Sequence, residues 1–402
     1  MSSAFGSQDN VSFRPGSAVV SLLLLGGIFF LNFFARIFLS PLLPELEQVL
    51  GLSHGQAGLF FFFISCGYFI SLVGSGFISA RIGHKRSIVL SMIGIALSLG
   101  LLSLTKSLSI LRLSFFLLGL AAGIYLPSAI TTISALFRPR QWGRAFAVHE
   151  LAPNLAFLTA PLYIALLLPL LSWQQIIQLP IGFILLAAGL YTIFGSNIQE
   201  KTAPPDLSLC RNLFGRREFW LMVLLFSMGI TGTLGVYSIL PTYLVSAHGF
   251  SEQEANLLVG ASRLPTLATA LAGGFLADRF GNRQAISLVL FCTGGATILL
   301  GTGQELLKLY VWLQPIIAVC FFPAAFALLS HIGSVETRSV TVSLTIPLAF
   351  ILGGGIIPAA ITRMADYGRF EAAIILTGCL IASGGLLVHC IGGETSLSKP
   401  TK

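Results

Sequence analysis

Gly76-Phe-Ile-Ser-Ala80-Arg81-Ile-Gly83-His-Lys85-Arg86 and Gly274-Phe-Leu-Ala-Asp278-Arg279-Phe-Gly281-Asn-Arg283-Gln284 are two copies of one stretch, 198 residues apart. In each copy an apolar run ends at a glycine suited to close helix packing, Gly76 or Gly274. Basic residues follow, and a second glycine, Gly83 or Gly281, turns the chain sharply into another apolar run. Each copy reads as a short charged loop between two membrane-spanning helices.

Composition points the same way. Of 402 residues, 55% are hydrophobic and 9% charged, where a soluble domain carries about 25% charged residues. The chain is an integral membrane protein whose first partner is the lipid bilayer. Its net charge of +8 belongs to loops at one membrane face, not to a nucleic-acid surface. The six cysteines are scattered with no C-x-x-C spacing, so they read as reduced and structural, and no metal or other cofactor is expected. The first apolar run is long enough to span and lacks an A-x-A cleavage site, so it reads as a retained helix.

A helix crosses about 30 Å of hydrocarbon with roughly 20 residues. Twelve runs qualify, near 18–43, 56–80, 87–105, 109–136, 145–169, 175–195, 219–245, 254–277, 285–303, 308–330, 338–362 and 370–392. Barrel strands would be half as long and would alternate polar with apolar residues. The fold class is all-α. Counting Lys and Arg in alternate connections gives sixteen against five, which places both termini in the cytoplasm by the positive-inside rule.

The longest polar interruption, containing Thr202-Ala-Pro204-Pro205-Asp206, divides the chain into bundles 1–195 and 219–402 with a cytoplasmic linker at 196–218. The halves repeat beyond the loop. Gly51-Leu-Ser53-His-Gly-Gln-Ala57 precedes Gly249-Phe-Ser251-Glu-Gln-Glu-Ala255 by the same 198 residues, and Pro127 and Pro323 echo each other at 196. Two pseudo-symmetric six-helix bundles follow, an architecture that binds substrate near the midplane between its halves.

The loop pair resembles that of the major facilitator superfamily of secondary transporters, which reads Gly-x-x-x-Asp-Arg/Lys-x-Gly-x-Arg/Lys-Arg/Lys. The second copy matches at Gly274, Asp278, Arg279, Gly281 and Arg283, the first at Gly76, Arg81, Gly83, Lys85 and Arg86. Ala80 replaces the first aspartate, which in the family joins an interdomain charge cluster. The resemblance implies a transporter working by alternating access, and in the family's arrangement helices 1, 4, 7 and 10 line its cavity. Asn32-Phe33-Phe34-Ala35-Arg36, with Pro44 eight residues on, is similar to a helix-1 stretch of the anion:cation symporter branch, where the arginine contacts an anionic substrate. That branch carries an aspartate, implicated in proton coupling, where this chain has Ala35.

Charges inside spans are costly and usually face a cavity, at about 2.5–3.5 kcal/mol each on insertion scales. Arg36 lies nine residues before Glu45 and Arg263 nine residues after Glu254, so both sit roughly 13 Å below the outer surface in opposite halves. Their repeat counterparts, Leu234 and Ser65, are uncharged, so the scaffold demands neither arginine. Two permanently charged forks suit a carboxylate or phosphate. Asn32, Tyr125, Tyr237 and Gln314 are further candidates for the cavity wall. Glu150, with His149 beside it, is the candidate for proton coupling; its bland alternative is to cap the basic cluster of Arg81, Arg138, Arg140 and Arg144. Spans 5 and 11, with Pro153, Pro161, Pro347 and Pro358, are expected to accommodate rocking.

A phosphate-binding Gly-x-x-x-x-Gly-Lys-Ser/Thr loop is absent from the sequence, as are a Gly-x-Ser-x-Gly elbow and a His-Glu-x-x-His zinc motif. The expectation is a non-enzymatic, monomeric transporter of a small organic anion in a bacterial inner membrane, with protons as the candidate coupling ion. The alternatives are an efflux protein for hydrophobic compounds and a receptor that binds without transporting.

Overall fold

The structure, a computed structural model, describes residues 15–196, 198, 213–303, 305–330 and 335–391. Most of the expected linker at 196–218 therefore lies outside the described residues. Among the described residues every regular element is helical. Span 1 is Pro15–Ile37 with Leu39–Leu50, span 2 His54–Ile82, span 3 His84–Ser103, span 4 Leu108–Gly123 with Tyr125–Leu136, span 5 Trp142–Leu167 and span 6 Trp173–Phe194. Span 7 is Arg217–Ile230 with Val236–His248, span 8 Glu252–Ala261 with Thr266–Phe280, and span 9 Asn282–Thr302. Span 10 is Leu307–Ala318 with Phe321–Ser330, span 11 Val335–Ile351 with Ile357–Ala365, and span 12 Phe370–Leu387.

Eleven of these are long and apolar enough to cross a membrane as they stand, and the exception is span 8, which breaks at 262–265. Proline explains the breaks. It has no N–H for the carbonyl four residues earlier, and its ring crowds that carbonyl. Pro41, Pro127, Pro265 and Pro323 free the carbonyls of Ile37, Gly123, Ala261 and Val319, and the chain interrupts its helix beside each. Span 11 passes through a π turn at Leu352–Ile356, ending two residues before Pro358, and span 7 through another at Thr231–Gly235. Span 5, by contrast, stays one continuous helix through Pro153 and Pro161.

The repeat read from sequence recurs in the backbone. Gly83 and Gly281 adopt φ of 84° and 83°, and Gly51 and Gly249 adopt φ of 63° and 68°, a region open to glycine at little cost. Spans 2 and 8 begin with the same reciprocal cap: Ser53 with Gln56, and Ser251 with Glu254. Gly274 departs from its expected role. A Cβ there would meet nothing within 4 Å, and the close approach at this level belongs to its neighbour Gly273, against the backbone of Cys320 in span 10. Close backbone approach also occurs deeper, at Gly67 and Gly119 between spans 2 and 4 and at Gly294 and Gly378 between spans 9 and 12.

The bundles meet on the face opposite the 81–86 and 279–283 loops. Ser40 Oγ donates to Tyr237 O at 2.8 Å and Asn256 Nδ2 to Pro41 O at 3.0 Å, each across the seam. Asp366, after span 11, accepts Gly55 N–H and Ser53 Oγ–H at 3.1 Å each, so a carboxylate from one bundle caps the positive end of span 2 in the other. Arg363 Nη1 holds the same carboxylate at 3.1 Å. Below it, Gly58 leaves room for Thr362, whose side chain occupies the place a Cβ would take. On the basic face Arg81, Arg86, Arg138, Arg140, Arg144, Asp278 and Arg279 are exposed, and no ion pair among the described residues engages Glu150 with that arginine cluster.

Asp366→Ala and Gly58→Val should both loosen this closed face, the first by removing the cap and the second by wedging against Thr362. Spin-label distances between positions 50 and 367 are expected to lengthen in each; an unchanged distribution would exclude the cap as a latch.

Candidate functional site

The proline break in span 8 puts Arg263 outside regular helix, in a turn where Arg263 N–H donates to Gly260 O at 3.0 Å and Arg263 O accepts Thr266 N–H at 3.1 Å. Thr266 Oγ donates to the same carbonyl at 2.6 Å. Arg36 sits in the last turn of Pro15–Ile37, just before the break at Phe38. Both arginines are buried at the seam, 8% and 4% exposed, so neither reaches lipid or open water. Among the described residues no carboxylate lies within ion-pair distance of either.

Aromatic rings take the place of counter-ions. The Arg36 guanidinium carbon lies 4.3 Å from the Tyr68 ring centre and 4.8 Å from that of Phe33. The Arg263 guanidinium lies 4.9 Å from Tyr237 and 5.2 Å from Phe157. Phe33 and Phe157 meet edge to face at 5.1 Å, and Phe157 meets Tyr237 at 4.7 Å. One aromatic path across the seam therefore links the two cations. A ring face offers a desolvated cation about 2 kcal/mol, less than the cost of burying an unpaired charge. Polar capacity is left over, since Arg36 Nε, Arg263 Nε and Nη2, and Tyr237 Oη are buried without hydrogen-bond partners.

A cavity of about 30 Å³ opens beside Arg36, walled by Tyr68, Ser65 and Phe61 from one bundle and Leu234, Ser238 and Phe350 from the other. Leu234 and Ser65, the repeat counterparts of Arg36 and Arg263, both line it. The pseudo-symmetry thus converges on this point, although Arg263 itself stands behind Phe157 rather than in the same cavity. A larger apolar groove of about 520 Å³ lies elsewhere, between spans 1, 5 and 6, with Leu23, Phe183 and Leu190 among its lining residues.

The other expected wall residues divide. Tyr237 belongs to the site through Arg263. Asn32 instead donates to Ala122 O at 3.1 Å and lies 3.4 Å from Ser91 Oγ, tying spans 1, 3 and 4 together. Gln314 donates to Gly232 O at 2.6 Å and braces the π turn of span 7 within its own bundle. Tyr125 donates to Leu25 O at 2.7 Å and contacts His149 Nε2 at 3.0 Å inside the first bundle. These three are taken up by internal hydrogen bonds because a buried polar group in a span must find a partner, and a neighbouring helix is the nearest one. Tyr68, Phe33 and Phe157 were not singled out from sequence. Their signal lay in one place only, the i−3 spacing of Phe33 from Arg36.

Comparison with known proteins identifies the family and the fold. The family model of the Major Facilitator Superfamily matches residues 25–300 and 232–400. The chain belongs to that superfamily. The nitrite extrusion protein of Bacillus subtilis (strain 168) is 20% identical over 355 residues, covering 88% of this chain and 85% of its own. A probable nitrate transporter, NarT, of Staphylococcus epidermidis is 23% identical over 259 residues, covering 63% of this chain and 65% of its own. Among solved structures, a bacterial homologue of the human lysosomal transporter Spinster, described as inward-facing and unoccupied, aligns with a TM-score of 0.78 at 16% identity over 96% of this chain and 98% of its own. A D-xylose-proton symporter aligns with a TM-score of 0.78 at 15% identity over 95% and 99%. This superfamily member is a membrane transporter and not an enzyme.

Phe157→Ala removes the ring that touches Phe33, Tyr237 and Arg263 at once. It is expected to cost about 3 kcal/mol of stability, read as a lower unfolding temperature in detergent, whereas Phe183→Ala on the lipid-side groove should move it far less.

Proposed function

We propose that this transporter carries a small anion, an organic carboxylate or an oxyanion of similar size, by alternating access between its two bundles. The observation that carries the reading is the pair of buried guanidiniums with unpaired donors and no carboxylate in reach among the described residues. An arriving anion would supply the missing charge, and a carboxylate or nitrate-like group matches the guanidinium fork in shape. The small cavity beside Arg36 favours a compact ligand. The names of the relatives point the same way, since they include nitrite, nitrate and niacin transporters.

The remaining parts of the reading follow from charge. The basic loops face the cytoplasm of a bacterial inner membrane, both termini lie on that side, and the bundles at 1–195 and 219–402 act as a monomer around the seam. On this orientation the closed face is external and the present form opens inward. A second reading, efflux of hydrophobic compounds, has the apolar groove between spans 1, 5 and 6 in its favour.

Thermal unfolding of the purified protein across a panel of nitrate, nitrite, nicotinate, acetate and lipophilic cations separates the two, because a ligand of the folded state raises stability by mass action. Anions are expected to stabilise the wild type. Arg36→Ala should weaken that binding roughly 10- to 100-fold, the worth of a hydrogen bond to a charged group, and Arg36→Lys should weaken it less. Stabilisation by the cations alone would select efflux.

A further inference from the structure

We infer that the apolar groove of about 520 Å³ between spans 1, 5 and 6 is a fixed seat for one acyl chain of a phospholipid from the cytoplasmic leaflet, and that this chain braces span 1 below Arg36. The seat is the same whichever substrate the transporter carries. Hydrogen bonds close it at both ends. On the cytoplasmic side Ser21 Oγ and Ser196 Oγ share a bond of 2.8 Å, which ties span 1 to the chain just after span 6. On the outer side Tyr163 Oη donates to Ile176 O at 2.7 Å, which ties span 5 to span 6. Between these ties the helices stand apart, and a Cβ on Gly27, in the groove wall, would meet nothing within 4 Å. Glycine inside a helix is unfavourable against alanine. Here it serves no close helix packing of the kind seen at Gly67 and Gly119, so what it leaves is room.

The wall offers hydrocarbon and little else. Its two hydroxyls are both taken, Thr159 Oγ1 donating to Leu155 O at 2.9 Å and Tyr163 Oη to Ile176 O, and no charged side chain lines it. A pocket for a drug-sized compound carries a few polar groups that orient the ligand; a wall with none to spare suits a plain chain. Length and depth fit as well. From Leu23 to Phe34 the groove follows span 1 for eleven residues, about 16 Å, or about half of the roughly 30 Å hydrocarbon core. On span 6 it reaches Leu190, four residues from the cytoplasmic end at Phe194, and stops at Pro180, seven residues from the outer end at Trp173. On the orientation proposed above, its nearer entry is therefore from the cytoplasmic leaflet. Leu23, Phe183 and Leu186 are exposed and leave it open sideways to lipid. Inside a bilayer no hydrophobic effect drives a chain in; the gain is the dispersion contact that an empty slot forfeits. Phe30 and Phe34 receive that contact and pass it on. Phe30 meets Phe34 at 5.7 Å, Phe34 stacks on Phe38 at 5.8 Å, and Phe38 is the helix break beside Arg36.

Photo-crosslinking of the full-length transporter in nanodiscs tests this, with phosphatidylglycerol that carries a diazirine on its acyl chain. Label should concentrate roughly tenfold on spans 1, 5 and 6 around the groove relative to the exposed Leu97 on span 3 and Phe275 on span 8, a preference that about ten extra van der Waals contacts supply. Gly27→Leu, whose side chain enters the slot, should lose that excess, whereas Gly100→Leu, facing open space on span 3 outside the groove, should keep it. In detergent, added phosphatidylglycerol should raise the unfolding temperature of the wild type and of Gly100→Leu by mass action and leave Gly27→Leu unmoved. Even labelling of all lipid-facing spans, or an excess untouched by Gly27→Leu, overturns the seat, and equal stabilisation of the two variants overturns the brace. Displacement of the label by tetraphenylphosphonium overturns the lipid assignment and gives the groove to a hydrophobic substrate.

Discussion

Two guanidiniums held on aromatic faces in a water-poor seam set the terms for the rest of this molecule. A buried cation without a counter-ion is tolerated only where something recovers the lost hydration, and four rings recover part of it. Their donors still point to an unmet need. The twelve spans, their breaks and the cap at Asp366 bring these two positions, from opposite bundles, to one seam, where Phe33 and Phe157 stand between them. Arg36 sits just before one proline-induced break and Arg263 within another, so the same local chemistry that interrupts the helix also releases a side chain toward the seam.

The bundle architecture was open to reading because the bilayer imposes a length and a polarity on every span, and because the repeated glycines at 51 and 249 and at 83 and 281 have to take backbone angles other residues avoid. The site was legible only in part. Arginine inside a span is expensive enough that its position carries information by itself, and the lack of a charge at its repeat partner sharpened the inference. Asn32, Tyr125 and Gln314 carried no such weight, since one hydrogen bond to a neighbouring helix accounts for each. Phe33, Tyr68 and Phe157 were hidden for the opposite reason: in a chain with 32 phenylalanines, a ring that holds a cation looks like one that meets lipid.

Glu150 shows where charge counting along the chain misleads. Its nearness in sequence to Arg138, Arg140 and Arg144 suggested a capping carboxylate, yet in the folded chain those arginines are exposed on the basic face and Glu150 turns along the stripe that leads to Phe157. The imidazole beside it, not a guanidinium, is its closest charged or chargeable neighbour.

The glycine contacts within each half have a mechanical outcome. Gly67 and Gly119 bring the main chains of spans 2 and 4 together so closely that any side chain would strike a carbonyl, and Gly294 and Gly378 do the same for spans 9 and 12. Interlocked main chains resist sliding, so those pairs travel as single struts. Displacement is thereby left to the boundary between the halves, which is held by single hydrogen bonds such as that of Ser40 to Tyr237 O and by contacts between rings.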